Sequence, residues 1–514
     1  MKRQDRKVAL METQGREISF HSQTQQNADR YLNLSQKHPV MRVNAPTWQL
    51  NEEGSRLDLT FHFEIEGLAP FHPKASFYRR GNGAAFLNHE HLHRYADHFQ
   101  AIFRGLSLVE ALSYWKSCCP PLIEYEGPAF TPEEEHFWSR LYYAGLGEFR
   151  YRNGIEVSQS TFLKWHFGGD GELSSDLKSS HQISGLSSYC PTQTNAVLIP
   201  VGGGKDSVVT LELLKNQPCT RYAFVINPSQ ASLDCIRETG IEDEFVLQVE
   251  RHLDPQLFEL NRQNYLNGHV PVSAVIAHYA CLSAMLQGIP YIALSNESSA
   301  DQSSVQGTEV NHQWSKSLEF EHAFSQHIKA FYAKDIHYFS LLRPFSELAI
   351  AKRFCAYPNY HRIFRSCNLG SKAAANRWCG HCAKCLFVYI MLLAFLGEKK
   401  SSEIIGRSML EAEELMDDFE RLIGLIEVKP FECVGTPEET CYALARFEAS
   451  LSDNERKELY KRAPLYRRYV EAKQEGCLKL DAVFESQCPD HIPSLFRPAL
   501  AAMEEDAKNE RLMR

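Results

Sequence analysis

Apolar Leu57, Leu59, Phe61, Phe63 and Ile65 alternate with polar Asp58, Thr60, His62, Glu64 and Glu66. A period of two predicts a half-buried antiparallel strand. The pattern turns helical from Asn88 to Trp115 and again from Pro132 to Leu146. These elements predict a separate N-terminal α+β domain over 41–190. Residues 1–40 are polar and Gln-rich and read as a mobile tail with some helix. From Asn195 the texture changes. Ala196–Val201 is a short apolar run entering a glycine turn, and Val208–Lys215 is helical. Two further apolar runs follow, Tyr222–Ile226 (ended by Asn227-Pro228) and Phe245–Val249. Val272–Gln287 is a long apolar helix, and Tyr291–Leu294 is a fourth strand. Strands alternating with helices predict an α/β fold with a parallel sheet covered on both faces. Right-handed crossovers then place every loop after a strand along one edge, where ligands bind. This second domain spans 191–395, and 396–514 reads as a helical C-terminal region.

Composition narrows the function. The chain has 514 residues, 44% hydrophobic and 23% charged, an ordinary globular balance. No apolar stretch is long enough to cross a bilayer. The basic start, Met1–Lys7, is followed only by Val8–Met11 before Glu12, too short for a signal-peptide core; a cytoplasmic protein is expected. The formal net charge is −9 with no dense basic stripe, which argues against a nucleic-acid partner. Of 15 cysteines, only Cys367, Cys379, Cys382 and Cys385 form a tight cluster, which reads as metal or redox chemistry before disulfides.

Gly202-Gly203-Gly204-Lys205-Asp206-Ser207 lies between a predicted strand and helix. Glycines let the backbone approach an anion, and the N–H groups with the helix start form an anion-binding nest. Ser207 is expected to cap the helix and donate to a phosphate oxygen. An ordinary tight turn is the alternative. The lysine does not stand at Walker A spacing. The Gly-Gly-Lys-Asp-Ser core instead resembles the PP-loop of ATP pyrophosphatases, with Gly202 in place of that family's first serine. The resemblance implies ATP cleavage between the α- and β-phosphates with Mg²⁺, and adenine contact at Asn227. Asp206 is the candidate metal or orienting carboxylate, and Lys205 the charge stabiliser. By the sheet argument Ser295–Asp301 lands on the same edge. Glu297 and Asp301 are candidates to hold Mg²⁺ or orient substrate, against a plain capped turn. Val310–Glu321 is dense in polar groups; Lys316 and Glu319, one turn apart, could be only a surface pair.

Cys379-Gly-His-Cys382-Ala-Lys-Cys385, with Cys367 upstream, offers four thiolates, the closed count of a structural zinc site. His381 is the less favoured ligand. A three-cysteine iron–sulfur cluster, as in some PP-loop tRNA thiolases, is the rival. The arrangement resembles the zinc site of cyano-deazaguanine synthases, another PP-loop family.

Taken together the motifs resemble the MurL-type UDP-N-acetylmuramoyl-L-alanyl-L-glutamate epimerases of peptidoglycan synthesis. The resemblance rests on Pro200–Ser207, Ser295-Asn-Glu297, Asn311-His-Gln313, Ser315-Lys-Ser317, Arg343-Pro-Phe-Ser-Glu347, Trp378–Cys385 and Lys429–Gly435, with Gly145–Phe149 and Tyr151–Gly154 upstream. It implies a PP-loop (adenine nucleotide α-hydrolase-like) domain and a small nucleotide-sugar dipeptide substrate. ATP is consumed, AMP and pyrophosphate form, and the terminal L-glutamate becomes D-glutamate. Adenylation would convert the carboxylate into a neutral acyl group able to delocalise a carbanion, so that a base can remove the Cα proton. Gly202, Gly203, Gly204, Lys205, Asp206, Ser207, Asn227 and Arg343 are expected to bind the nucleotide. Lys205, Asp206, Glu297, Lys316 and Cys433 are expected to take part in catalysis. Cys433, His312 and His361 are candidate bases, against buried core roles. Lys205, Lys316 and Arg343, then Arg150 and Arg152, would supply positive charge for the anionic substrate. His89, His91, His93 and His98 read as helix surface. Two other readings remain open at this point: a PP-loop enzyme acting on a nucleobase or tRNA, and a non-catalytic zinc-stabilised interaction protein.

Overall fold

A computed structural model describes residues 24–81, 89–167, 188–367, 369–370, 377–481, 484 and 489–512. Most of the expected tail lies outside these residues, and its described end forms a helix over 24–37. Ten strands make one continuous sheet. In chain order they are β1 (Val40–Leu50), β2 (Arg56–Ile65), β3 (Lys74–Arg79), β4 (Leu122–Tyr125), β5 (Lys164–Phe167), β6 (Ala196–Pro200), β7 (Thr220–Ile226), β8 (Val246–His252), β9 (Tyr291–Leu294) and β10 (His337–Ser340). Their order across the sheet is β10-β9-β6-β7-β8-β3-β2-β1-β4-β5. The five C-terminal strands pair in parallel. An antiparallel β3–β8 seam, with Phe77 opposite Val249, joins them to the N-terminal five. The α/β class read from the sequence is the observed one, and the two rows of strands share a single sheet.

Alternation explains why β6 reads as an unbroken apolar run. Ala196 and Leu198 enter the core on one face of the sheet, and Val197 and Ile199 the core on the other. A parallel strand wrapped by crossovers is buried on both sides, and each buried Val, Leu or Ile side chain contributes about 1.5–3 kcal/mol. The helices that matter here are α1 (Ala96–Trp115), α2 (Gly147–Arg152), α3 (Lys205–Leu213), α4 (Val272–Gln287), α5 (Leu318–His327), α6 (Glu347–Cys355), α7 (Ala383–Ile405) and α8 (Pro437–Ala449). Buried Glu110 of α1 takes both guanidinium arms of Arg251 on β8, at 2.5 and 2.8 Å, and the Tyr279 hydroxyl of α4 at 2.8 Å. That network ties the N-terminal helix to the seam.

The histidine-rich stretch is not simply helix surface. His93 is exposed, but His98 is buried with Nδ1 2.7 Å from the Tyr332 carbonyl oxygen, and His91 stands edge-on to Tyr95, Phe99 and Tyr189. The side chain of His89 lies outside the described residues. No helix among the described residues is long and apolar enough to cross a membrane.

Candidate active site

β6 delivers the glycine turn to the carboxyl edge of the parallel sheet, and α3 starts directly after it. Gly204 is the N-cap and brings no side-chain hydrogen bond, so the first-turn N–H groups of α3 stay open to a ligand. Here the structure departs from expectation. Ser207 does not cap the helix; its hydroxyl donates back to the Gly204 carbonyl at 3.0 Å. Gly203 has φ 83°, and a Cβ there would lie 2.6 Å from the backbone nitrogen of Ser232, so no other residue fits.

The turn opens on a cavity of about 380 Å³, within the range of small-molecule sites. Gly202, Gly204, Asp206 and Ser207 line one wall, and Phe224, Ile226, Ser273 and Ile276 form an apolar end. Asn296, Lys316, Lys384, Arg365 and Cys433 line the rest. Glu432 joins Asp206 as an acidic group in a lining that also carries Lys316, Arg365 and Lys384. Asn227 is not part of the wall. Its side chain exchanges two 2.8 Å hydrogen bonds with the backbone of Arg251, and Phe224 and Ile226 line the cavity in its stead.

Beneath the turn lies a buried charge network. Lys205 bridges Asp206 and Glu347, and both Lys205 and Glu347 are 1% exposed. Burial alone would lower the Lys205 ammonium, but the two carboxylates outweigh it and raise it above its usual value. Burial would raise Asp206, but Lys205 and Lys384 hold it below the usual carboxylate range. The Glu347 amide donates to Glu439 at 2.8 Å. Gly435 is pressed against this pair, since a Cβ would come within 2.4 Å of the Glu439 carboxylate. Glu297 is buried and absent from the cavity wall. Asp301 accepts from the amide of Leu318 at 2.7 Å, at the start of α5.

Lys316 is not half of a surface pair. Glu319 binds Arg140 at 2.7 Å and Trp314 Nε1 at 3.0 Å, while Lys316 turns into the cavity. Arg343 is wholly buried. It donates to the carbonyls of Glu297 and Lys316 at 2.8 and 2.6 Å and pairs with Glu321 at 2.8 Å; it shapes the Lys316 turn without lining the cavity. Arg150 lies over the Tyr143 ring at 3.5 Å, and Arg152 over Phe431 at 4.8 Å. His361 is buried against Phe354, away from the wall.

Cys433 lines the cavity, and His312 stands beside it outside the lining. Glu148 of α2 accepts from His312 Nδ1 at 2.5 Å and from Arg152 Nε at 2.6 Å. His312 also interacts directly with Cys433, each favouring the charged form of the other. Burial would raise the Cys433 thiol, but Lys316, His312 and Lys384 lower it to about 6. Burial would lower His312, but Cys433 and Glu148 raise it to about 9. The stable form near neutrality is a thiolate beside an imidazolium. Lys384 donates to the Cys433 carbonyl, and Gln313 Nε2 donates to the Val434 carbonyl at 3.1 Å, which fixes the loop. Sequence reading missed Glu148, Arg365 and Lys384. Lys384 sat in plain view between two knuckle cysteines, whereas nothing local marks Glu148 as the partner of a residue 164 positions away.

The four knuckle sulfurs lie within 4.8 Å of one another, with Cys367–Cys382 at 3.9 Å and Cys379–Cys385 at 3.5 Å. Zinc–sulfur bonds of 2.3 Å at the tetrahedral angle separate sulfurs by about 3.8 Å, so the group could hold one zinc ion. His381 is exposed, its Nδ1 2.7 Å from the Cys379 carbonyl oxygen. Glu148, His269 and His312 also bring three donor atoms within 4.8 Å. Glu148 already accepts from Arg152 and His312, whereas the buried Nε2 of His269 has no hydrogen-bond partner among the described residues.

Fold and site define a mixed α/β protein with a cavity at the carboxyl edge of its parallel strands, lined by an open glycine turn, by lysines and by the thiol of Cys433. The chain belongs to the MurL family: residues 35–341 match the MurL N-terminal domain and 363–474 the MurL C-terminal domain. It is 37% identical over 352 residues to the UDP-N-acetyl-alpha-D-muramoyl-L-alanyl-L-glutamate epimerase of Xanthomonas oryzae pv. oryzae, covering 67% of this chain and 74% of that protein. Epimerases of the same name from Salinispora tropica and Micromonospora sp. are 30% and 32% identical, over 79% and 77% of this chain and 84% and 85% of theirs. No solved structure matches the chain.

Proposed function

We propose that this enzyme epimerises the terminal L-glutamate of UDP-N-acetylmuramoyl-L-alanyl-L-glutamate to D-glutamate, activating its carboxylate with ATP and releasing AMP and pyrophosphate. The carrying observation is that the open glycine turn and Cys433 share one cavity, with His312 beside the thiol, in a chain related to epimerases of that name. The backbone of Gly202–Gly204 and the start of α3 would bind the phosphates, and Phe224 and Ile226 the adenine. Asp206 would hold Mg²⁺, which commonly takes one or two carboxylates plus substrate phosphates and neutralises their charge. Lys316 and Lys384 would offset the negative charge that builds at the carboxylate and α-phosphate.

An ionised carboxylate makes the neighbouring Cα–H a very poor acid, because its loss builds a second negative charge beside the first. Activation removes that charge, and Cys433 and His312 then act on the activated glutamyl group. Hydrolysis completes the cycle and makes it irreversible. Consumption of ATP and a nucleotide-sugar peptide is consistent with a cytoplasmic enzyme. The knuckle would carry zinc in a structural role, with Cys367, Cys379, Cys382 and Cys385 as ligands.

The test is pyrophosphate release with the L-glutamyl substrate, its D-glutamyl isomer and tRNA. Release with the L-glutamyl compound alone, lost in Asp206→Ala and Ser207→Ala with the fold intact, is expected. Release driven by tRNA, or full activity in both variants, would refute the reading.

A further inference from the structure

We infer, on the footing of the carboxylate activation proposed for this cavity, that Cys433 is a covalent nucleophile: it takes the glutamyl α-acyl group from the adenylate as a thioester, and Cα inverts on that thioester. Three observations carry this. Cys433 lines the same cavity as Gly202, Gly204, Asp206 and Ser207, so an acyl group activated at the glycine turn stays within one chamber. His312 lies between the thiol and a buried carboxylate, Glu148, itself fixed by Arg152. A nucleophile, a base and a third group that orients the base form the arrangement of covalent acyl transfer. Finally, Lys316 and Lys384 line the cavity with the sulfur, where positive charge favours both the thiolate and the oxyanion of a tetrahedral adduct.

Chemistry favours bond formation over simple proton abstraction. A strongly ionised thiol is a poor base toward carbon, yet its nucleophilicity falls by only about half a log unit per unit of pKa. In the transfer, the thiolate pair forms the S–C bond, the C–O bond to phosphorus breaks, and AMP leaves with that electron pair. Sulfur donates weakly into a carbonyl, so the thioester carbonyl accepts the carbanion pair when the Cα proton departs, and the proton returns from the other face. Acylation also removes the thiolate charge that holds a proton on His312, which makes that ring a proton-transfer group beside the acylated sulfur. Water then attacks the acyl carbon, the S–C pair returns to sulfur, and two protons pass to solvent, leaving free carboxylate and thiolate. Glu148 acts through His312 and is a positioning residue.

The experiment mixes the full-length protein with radiolabelled UDP-N-acetylmuramoyl-L-alanyl-L-glutamate, ATP and Mg²⁺ and quenches in acid, which preserves thioesters. The expected result is one labelled substrate minus water per chain, released by hydroxylamine and mapped to the Cys433 peptide. Cys433→Ala should give no adduct and lose epimer formation by at least roughly a hundredfold, while substrate-dependent ATP–pyrophosphate exchange survives. Glu148→Gln should still form the adduct, with the acid limb of its formation rate moved to higher pH. Turnover without adduct in the wild type, or epimerisation by Cys433→Ala, overturns the covalent step. So does an adduct whose pH profile ignores Glu148→Gln. Absence of exchange in the wild type instead overturns the adenylation reading, and the covalent step with it.

Discussion

Alkylation of Cys433 by iodoacetamide, followed against pH by peptide mass spectrometry, tests the ion pair without any substrate. The thiol is lowered from an ordinary 9.0 to about 6. At pH 7 that makes it about 90% ionised, against about 1% for the ordinary group. The intrinsic reactivity of the thiolate meanwhile falls by about twentyfold over three units of pKa. The two effects nearly cancel at pH 7, leaving an advantage of only about fourfold, which grows to about twenty-five-fold at pH 6. The midpoint of the profile is therefore the informative quantity. It is expected near pH 6 in the wild type and at least about one unit higher in Lys316→Met, which removes the largest charge holding the thiolate. Linkage fixes the signs for stability. The depressed Cys433 contributes fully above its unfolded value of 9.0, and that contribution is lost as pH falls through about 6. The raised His312 contributes fully below 6.5 and is lost as pH rises through about 9. A midpoint of 8–9 in the wild type, or one indifferent to Lys316→Met, would refute the thiolate–imidazolium pair.

Purified protein should carry one zinc per chain by elemental analysis, and Cys382→Ser should lose the metal together with thermal stability; iron, or a second equivalent of zinc, would contradict the ligand assignments. Lys205→Met strands Glu347 in the core and should cost about 3–5 kcal/mol in denaturant unfolding; a cost below about 1 kcal/mol would mean the network is not buried as described. In deuterated water the D-glutamyl product should carry deuterium at Cα only when ATP is present, and a non-hydrolysable α,β-analogue should give none. Exchange without ATP, read by mass spectrometry, would separate nucleotide cleavage from inversion.

Much of the parallel half of the fold was legible because burial on both faces writes itself as short apolar runs. β6, β7, β8 and β9 fall within two or three residues of the runs read from the sequence, and α4 spans the same residues, Val272–Gln287. β2 was equally clear from its alternation. β1 was not: the register shifts between Asn44 and Thr47, which breaks the period where a pattern search needs it. β4, β5 and β10 have four residues each, as β9 does, but where β9 is an unbroken apolar run they are interrupted by Glu124, by Lys164 and His166, and by His337 and Ser340. In the site, Gly202–Ser207 and the cysteines were readable because their chemistry is local. Cys433 and His312 could be named only as separate candidates. What joins them is Glu148, brought over when the aromatic rings of Tyr151 and Phe431 meet at 5.6 Å. That contact depends on the packing of α2 against a loop almost three hundred residues later.

The residues flanking the knuckle cysteines also reach both the glycine turn and the Cys433 loop. The Arg365 amide donates to the Gly203 carbonyl at 2.8 Å, and the Ser366 hydroxyl stands where a Cβ on Gly204 would go. The next residue, Cys367, is one of the four knuckle cysteines, and between Cys382 and Cys385 Lys384 donates to the Cys433 carbonyl. Residues beside the knuckle cysteines therefore contact the glycine turn and the Cys433 loop. In the proposed reaction activation and inversion would act on the same carbon–carboxyl unit, and misplacing a catalytic group by 1 Å can cost about a hundredfold. A rigid link between the two walls is what such a sequence of steps requires. The position of the knuckle, between the groups that would make the adenylate and the groups that would use it, follows from that requirement.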